Sequence, residues 1–148
     1  MQPLQFPSYA FRLKNRQNKP FIFDLVRKKF VSLSPEEWVR QHVVQYLIKD
    51  KKYPLSHVNV EKQILLNGLK KRYDVVIFNT DGSIHLLVEC KAPEIAITQK
   101  TFDQIASYNF NLDATFLMVT NGLQHYYCQL LKNEEKYQFL REIPEFSR

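Results

Sequence analysis

The feature that most constrains this chain is a pair of short apolar runs joined across Asp81-Gly82. They are Lys71-Arg-Tyr-Asp-Val-Val-Ile-Phe78 and Ile84-His-Leu-Leu-Val-Glu-Cys-Lys91. Each has the length and the Val, Ile, Leu and aromatic content of a strand, and Asp-Gly between two such runs is a strong hairpin signal. Side chains alternate along a strand, so Leu86, Val88 and Cys90 share one face while Leu87, Glu89 and Lys91 share the other. Apolar residues on both faces predict a strand covered on both sides. Asp74, Glu89 and Lys91 interrupt these runs. Charged side chains on a covered strand are paired or bind something, so the three mark a candidate site.

Further cues place other elements around that hairpin. Ser34-Pro-Glu-Glu is a helix start, with Ser34 as the cap, Pro35 at the first helical position and Glu37 where a capping box needs it. Val39, Val43, Tyr46 and Leu47 then recur at helical spacing up to Asp50-Lys-Lys-Tyr-Pro54. The spacing puts Glu36 with Val39, Arg40, Val43 and Leu47 on the side facing the body, and Glu37 about a quarter-turn away. Glu36 is therefore the expected visitor to a site, and Glu37 a cap. Asn67-Gly68 and Asn121-Gly122 read as two more hairpin turns, and Thr98–Phe110 as a second helix. Upstream, Tyr9–Lys14 and Phe21–Val26 form an expected hairpin, with residues 1 to 7 as a loose lead-in. The basic run Arg27-Lys28-Lys29 follows it and is a candidate phosphate contact, against the plainer reading of a solvated loop.

At 148 residues one domain is expected: an N-terminal hairpin extension over 1–30, a core over 31–131 and a tail over 132–148. Lys and Arg outnumber Asp and Glu by 21 to 15, a balance that suits a polyanionic partner as well as simple solubility. Cys90 and Cys128 both sit in strand-like runs as small buried hydrophobes, and no Cys/His zinc spacing is present. The four histidines lack metal-ligand spacing, and no Ser-His-Asp or Cys-His constellation appears. No signal peptide opens the chain and no apolar run approaches a membrane span, so a soluble, cytoplasmic protein is expected.

The expected order, helix–strand–strand–strand–helix–strand, is similar to the core of the PD-(D/E)xK nuclease superfamily. Asp74 falls on its second core strand and Glu89-Cys-Lys91 on its third. More closely, Ser34-Pro-Glu-Glu-Trp-Val-Arg-Gln41, Lys71-Arg-Tyr-Asp74, Val88-Glu-Cys-Lys-Ala-Pro93, Asp103-Gln-Ile-Ala-Ser-Tyr-Asn109 and Val119-Thr-Asn-Gly-Leu123 resemble the N-terminal nuclease domain of type I restriction enzyme R subunits. Gln104-x-x-x-Tyr108 resembles the Gln/Tyr motif of RecB-like nucleases. Tyr73 stands where the superfamily name has proline, and the chain carries no Gly-x-x-x-x-Gly-Lys loop, so no ATP site is expected.

The resemblance implies an α/β, restriction-endonuclease-like fold: a central mixed sheet flanked by helices, of core order αβββαβ, behind the N-terminal β-hairpin. It implies catalysis by Asp74, Glu89 and Lys91. Asp74, Glu89, the Cys90 carbonyl and Glu36 would ligate Mg2+, with Mn2+ as a substitute. Hard carboxylate oxygens suit such an ion, which polarises a phosphate and activates water, while Lys91 steadies the developing charge. Gln104 and Tyr108, four apart on one helical face, would meet substrate together with the basic run. DNA is the expected partner, with a second copy or a separate motor or specificity subunit as protein partners. The rival readings are a catalytically silent DNA-binding or complex-forming module, a nuclease subunit that needs a separate motor chain, and a buried ion-pair network at Asp74, Glu89 and Lys91.

Overall fold

The computed structural model describes residues 1–66, 68–134 and 136–147. Asn67 of the expected Asn67-Gly68 turn lies outside the described residues. Three strands come first, β1 (Leu13–Arg16), β2 (Lys19–Asp24) and β3 (Lys29–Ser32), followed by α1 (Pro35–Gln45). Then come β4 (Val58–Leu66), β5 (Leu69–Phe78), β6 (Ile84–Cys90), α2 (Gln99–Asn109), β7 (Phe116–Thr120), β8 (His125–Leu131) and β9 (Lys136–Leu140).

Strands β4 to β9 form a mixed sheet in sequence order. Every neighbouring pair is antiparallel except β6 and β7, whose parallel register runs from Leu86 opposite Phe116 to Cys90 opposite Thr120. Helix α2 makes the crossover that a parallel pair requires. The sheet separates two apolar layers. Val39 and Val43 of α1, with Leu47 just beyond it, pack on Leu86, Val88 and Cys90 of β6, and Phe102 and Ala106 of α2 pack on Leu87 from the opposite face. Covering on both faces is what the unbroken apolar content of β6 predicts. Both cysteines are free and buried.

Local chemistry sets the ends of α1. Ser34 Oγ accepts from the Glu37 N–H at 3.1 Å, with Pro35 at the first position. The helix then widens into a π-turn over Tyr46–Asp50, in which Lys51 N–H bonds the Tyr46 carbonyl at 3.1 Å.

Three expectations are corrected. The N-terminal hairpin is a three-stranded antiparallel sheet, order β1-β2-β3. Its first strand begins at Leu13, because Gln17 and Asn18 both take positive φ and make the tight two-residue turn that pairs Arg16 with Lys19. The C-terminal stretch adds β9 to the main sheet and buries Ile143 completely in the α1 layer. The first residues are also pinned. Gln5 N–H donates to the Gly122 carbonyl at 2.8 Å, Trp38 Nε1 donates to the Gln2 carbonyl at 2.8 Å, and Leu4 and Phe6 lie against the core.

Candidate active site

The β5/β6 register pairs Val75 with Val88, which brings Asp74 to the end of β6 that carries Glu89 and Cys90. Asp74 Oδ2 accepts from the Cys90 N–H at 2.7 Å, tying the carboxylate to the backbone beside Glu89. The strand is irregular here. Tyr73 packs in the α2 layer and Val75 in the α1 layer, although residues two apart on a regular strand share a face. Opposite, Glu61 of β4 takes φ +50°, a conformation that costs a non-glycine residue about 1–2 kcal/mol. The departure turns Asp74 toward α1, where Arg40 Nη2 meets its Oδ1 at 3.0 Å.

Arg40 is the hub of a buried charge network. Its Nη1 donates to Glu37 Oε1 at 2.9 Å and Glu61 Oε1 at 3.2 Å. Arg27 repeats the pattern, donating to Asp24 at 2.7 Å, Glu37 at 3.0 Å and Glu61 at 3.3 Å. Gln41 Nε2 bridges Asp24 and Glu37, each at 3.0 Å. Burial opposes the charge on Arg40, but Glu37 and Asp74 outweigh it and hold its pKa up. Asp24 is likewise desolvated, yet hydrogen bonds from Arg27 and Gln41 hold its carboxyl below the usual range. Two guanidiniums thus hydrogen-bond four carboxylates, Asp24, Glu37, Glu61 and Asp74.

Glu89 sits on the other side of the site and is 8% exposed. Lys71 Nζ lies 3.1 Å from its Oε1 but outside hydrogen-bond geometry, so that buried oxygen has no hydrogen-bond partner among the described residues. Lys71 is held between two rings, 4.8 Å from the centre of Tyr73 and 4.5 Å from that of Tyr108. Burial, with Asp74's charge adding, pushes the Glu89 carboxyl up against the pull of Lys71 and Lys91.

The remaining expected residues are placed as follows. Lys91 follows β6, half-buried, its N–H bonded to the Thr120 carbonyl at 2.8 Å, and its charge reaches both Glu36 and Glu89. Glu36 is half-exposed at the site's rim, 3.9 Å from Arg40, with its carboxyl pushed up by partial burial and then by Asp74. Glu37 enters the cap through its backbone N–H, while its carboxylate is buried between the two arginines, so α1 reaches Asp74 through Glu37 and Arg40. Gln104 and Tyr108 line one shallow groove along α2, and Tyr108 is joined to Glu89 through Lys71. Arg27 turns inward and its guanidinium is committed to carboxylates, whereas Lys28 and Lys29 remain exposed. His85 bonds Tyr53 at 2.9 Å and lines a cavity of about 810 Å3 toward the opposite end of β5 and β6.

Sequence reading missed Arg40, Glu61 and Lys71. Arg40 had a signal, its place on the body-facing side of α1. The other two are drawn in by the bend at Asp74 and by Tyr108, which no local pattern announces.

The donor types suit a hard divalent cation: two carboxylates from adjacent strands, a buried Glu89 oxygen lacking a hydrogen bond, and more carboxylates than guanidiniums nearby. Among the described residues, no three His, Cys, Asp or Glu side chains by themselves converge closely enough to hold a metal. Any ion here would therefore lean on main-chain oxygen and water as well.

Residues 35–144 match a protein family described as the type I restriction enzyme R protein N terminus. Among solved structures, the chain is similar to a fragment assigned as an HsdR subunit of a type I restriction enzyme from Vibrio vulnificus YJ016. The TM-score is 0.51 at 20% identity, over 76% of this chain and 24% of that one. The chain thus spans about a quarter of the length of that solved fragment. A search of curated proteins gave no match.

Proposed function

This chain belongs to the type I restriction enzyme R protein N-terminal family, and on that premise we propose that it is a metal-dependent nuclease domain hydrolysing DNA phosphodiester bonds. The observation that carries the reading is the junction of Asp74 and Glu89 through the Cys90 N–H, with Lys91 immediately beyond. Asp74, Glu89 and the Cys90 carbonyl would hold Mg2+ or Mn2+, with Glu36 at the rim reaching it through water. When bound, the ion would polarise a phosphate oxygen and lower the pKa of a water. Arg40 and the Cys90 N–H fix the Asp74 carboxylate from two directions. Lys91 would balance charge gathering on the phosphate. Gln104 and Tyr108 border the groove beside Lys71 and would position the substrate backbone. A second copy, or a motor or specificity subunit, would be its protein partner.

The test is incubation with supercoiled, linear and single-stranded DNA, with Mg2+, Mn2+ or chelator. Wild type is expected to cut only with metal, and Lys91→Ala to abolish cutting while keeping fold and DNA affinity. Equal cutting by both proteins would reject the assignment at this site. The Arg40–Asp74 ion pair favours a second reading, a module that keeps these charges as structure without turnover. The melting experiment in the Discussion separates the two.

A further inference from the structure

The chain's positive surplus is confined to one part of the fold. Residues 1–33 hold seven Lys and Arg and one Asp, net +6, while residues 34–148 hold fourteen of each sign. The entire surplus therefore lies on β1–β3 and their turns. Asp24 is fully buried and takes Arg27, leaving six exposed cations in a segment with no other acid.

The register gathers four of them on one side. Lys14 pairs with Phe21, Arg16 with Lys19 and Phe23 with Phe30, and Phe23 N–H bonds the Arg12 carbonyl. Opposed residues share a side of a sheet, so Arg12, Lys14, Arg16 and Lys19 flank Phe23 and Phe30, while buried Ile22 and Asp24 occupy the other side. The Arg12 guanidinium sits 4.4 Å above the Phe23 ring, and the Lys14 ammonium 4.1 Å above Phe30. These contacts hold both cations down on the surface and reduce the side-chain entropy lost on binding. Alternate residues on β1 are spaced about 6.7 Å apart, near the separation of successive phosphates along one nucleic-acid strand. The rings are covered by cations, so they support charge rather than offering bare faces to bases.

This sheet precedes residues 35–144, so family membership does not account for it. It is nonetheless tied to the candidate site. Arg27, in the β2–β3 turn, bonds Glu37 and Glu61, the same carboxylates that hold Arg40 against Asp74.

We propose that the outer side of the N-terminal sheet is a sequence-independent docking surface for the phosphate backbone of nucleic acid, held in fixed relation to the Asp74–Glu89 site. It rests on the nuclease reading only for the identity of the polyanion. The test is fluorescence anisotropy with a DNA duplex and its single strand, in chelator, across a salt series. The triple variant Arg12→Gln, Lys14→Gln, Arg16→Gln is compared with a triple of equal charge, Lys49→Gln, Lys52→Gln, Lys136→Gln. The sheet triple should lower the magnitude of the duplex log–log salt slope by roughly 2.7 and weaken binding on the order of a hundredfold at about 0.1 M salt. The control should stay within about threefold of wild type, since long-range charge alone is largely screened there. Equal weakening by both triples, or wild-type binding by a folded sheet triple, would overturn the proposal. So would polyglutamate competing as well as DNA at equal charge, which would point to an acidic protein. Cleavage is not read: a chain that binds through this sheet and never cuts upholds the surface and sinks only the nuclease reading.

Discussion

Replacing Asp74 by Asn and Glu89 by Gln should move the metal-free protein in different directions, because the two carboxylates are held differently. Asp74 accepts from Arg40 at 3.0 Å and from the Cys90 N–H at 2.7 Å, one donor to each oxygen. An asparagine keeps a single acceptor and turns its NH2 toward one of those donors. Losing a hydrogen bond to a charged group costs about 1.5–3 kcal/mol. At roughly 2–4 °C per kcal/mol for a protein of this size, melting should fall by about 3–12 °C. Relief of repulsion on Glu36 and Glu89 places the fall in the lower part of that range. Glu89 has little to lose: its Oε1 lacks a hydrogen bond and its Lys71 partner is a third exposed. Glu89→Gln should leave melting unchanged or raise it.

The pH dependence follows from the raised pKa of Glu89. The folded chain holds that proton more tightly than the unfolded chain, so the ionised carboxylate costs stability above the folded pKa. The cost vanishes as pH falls below the ordinary value of 4.5, and any advantage of Glu89→Gln should vanish with it. The assay is calorimetric melting in chelator from neutral pH downward, repeated with Mn2+. Metal at a hundred times its Kd should stabilise wild type by about 2.7 kcal/mol and both variants much less. Glu89→Gln destabilised as strongly as Asp74→Asn, with no Mn2+ shift in wild type, would refute the reasoning and leave a structural ion-pair network.

Arg40→Gln leaves Asp74 without its guanidinium and Glu37 and Glu61 with Arg27 alone, and should cost about 3–5 kcal/mol in urea unfolding; a loss below about 1 kcal/mol would remove Arg40 as the hub. Gly122→Ala should destabilise more than Gly82→Ala. Both take positive φ, but a Cβ on Gly122 would meet Leu4 Cδ2 at 2.9 Å and one on Gly82 meets nothing within 4 Å; equal melting of the two variants would mean that Leu4 is not packed there. Asp24 has a lowered folded pKa, so its contribution is complete above the unfolded value of 3.8 and is lost as pH falls through the lower folded value. The stability gap between wild type and Asp24→Asn should accordingly hold from neutral pH to about pH 4–5 and then narrow, and a gap that is unchanged at low pH would contradict the Arg27–Asp24 pairing.

What the sequence determined by itself is whatever depends on neighbours along the chain. Alternation from Leu86 to Glu89 specified a strand covered on both faces, Asp81-Gly82 a turn, and Ser34-Pro35 the start of α1, because strand facing, turn dihedrals and end-capping are settled within a few residues. The placement of Asp74 and Glu89 on adjacent strands followed from that same hairpin. Tertiary structure decided the rest. Which glutamate of Glu36-Glu37 is buried depends on the seating of α1 against the sheet, and packing drew Glu37 inward between Arg27 and Arg40. Arg40 meets Asp74 across 34 positions of chain, and Lys71 reaches Tyr108 only because α2 lies over that face. The bend at Asp74, the third N-terminal strand and β9 are likewise long-range outcomes. A buried charge must find an opposite charge wherever the fold provides one, and packing a helix onto a sheet selects those partners without regard to their separation in sequence.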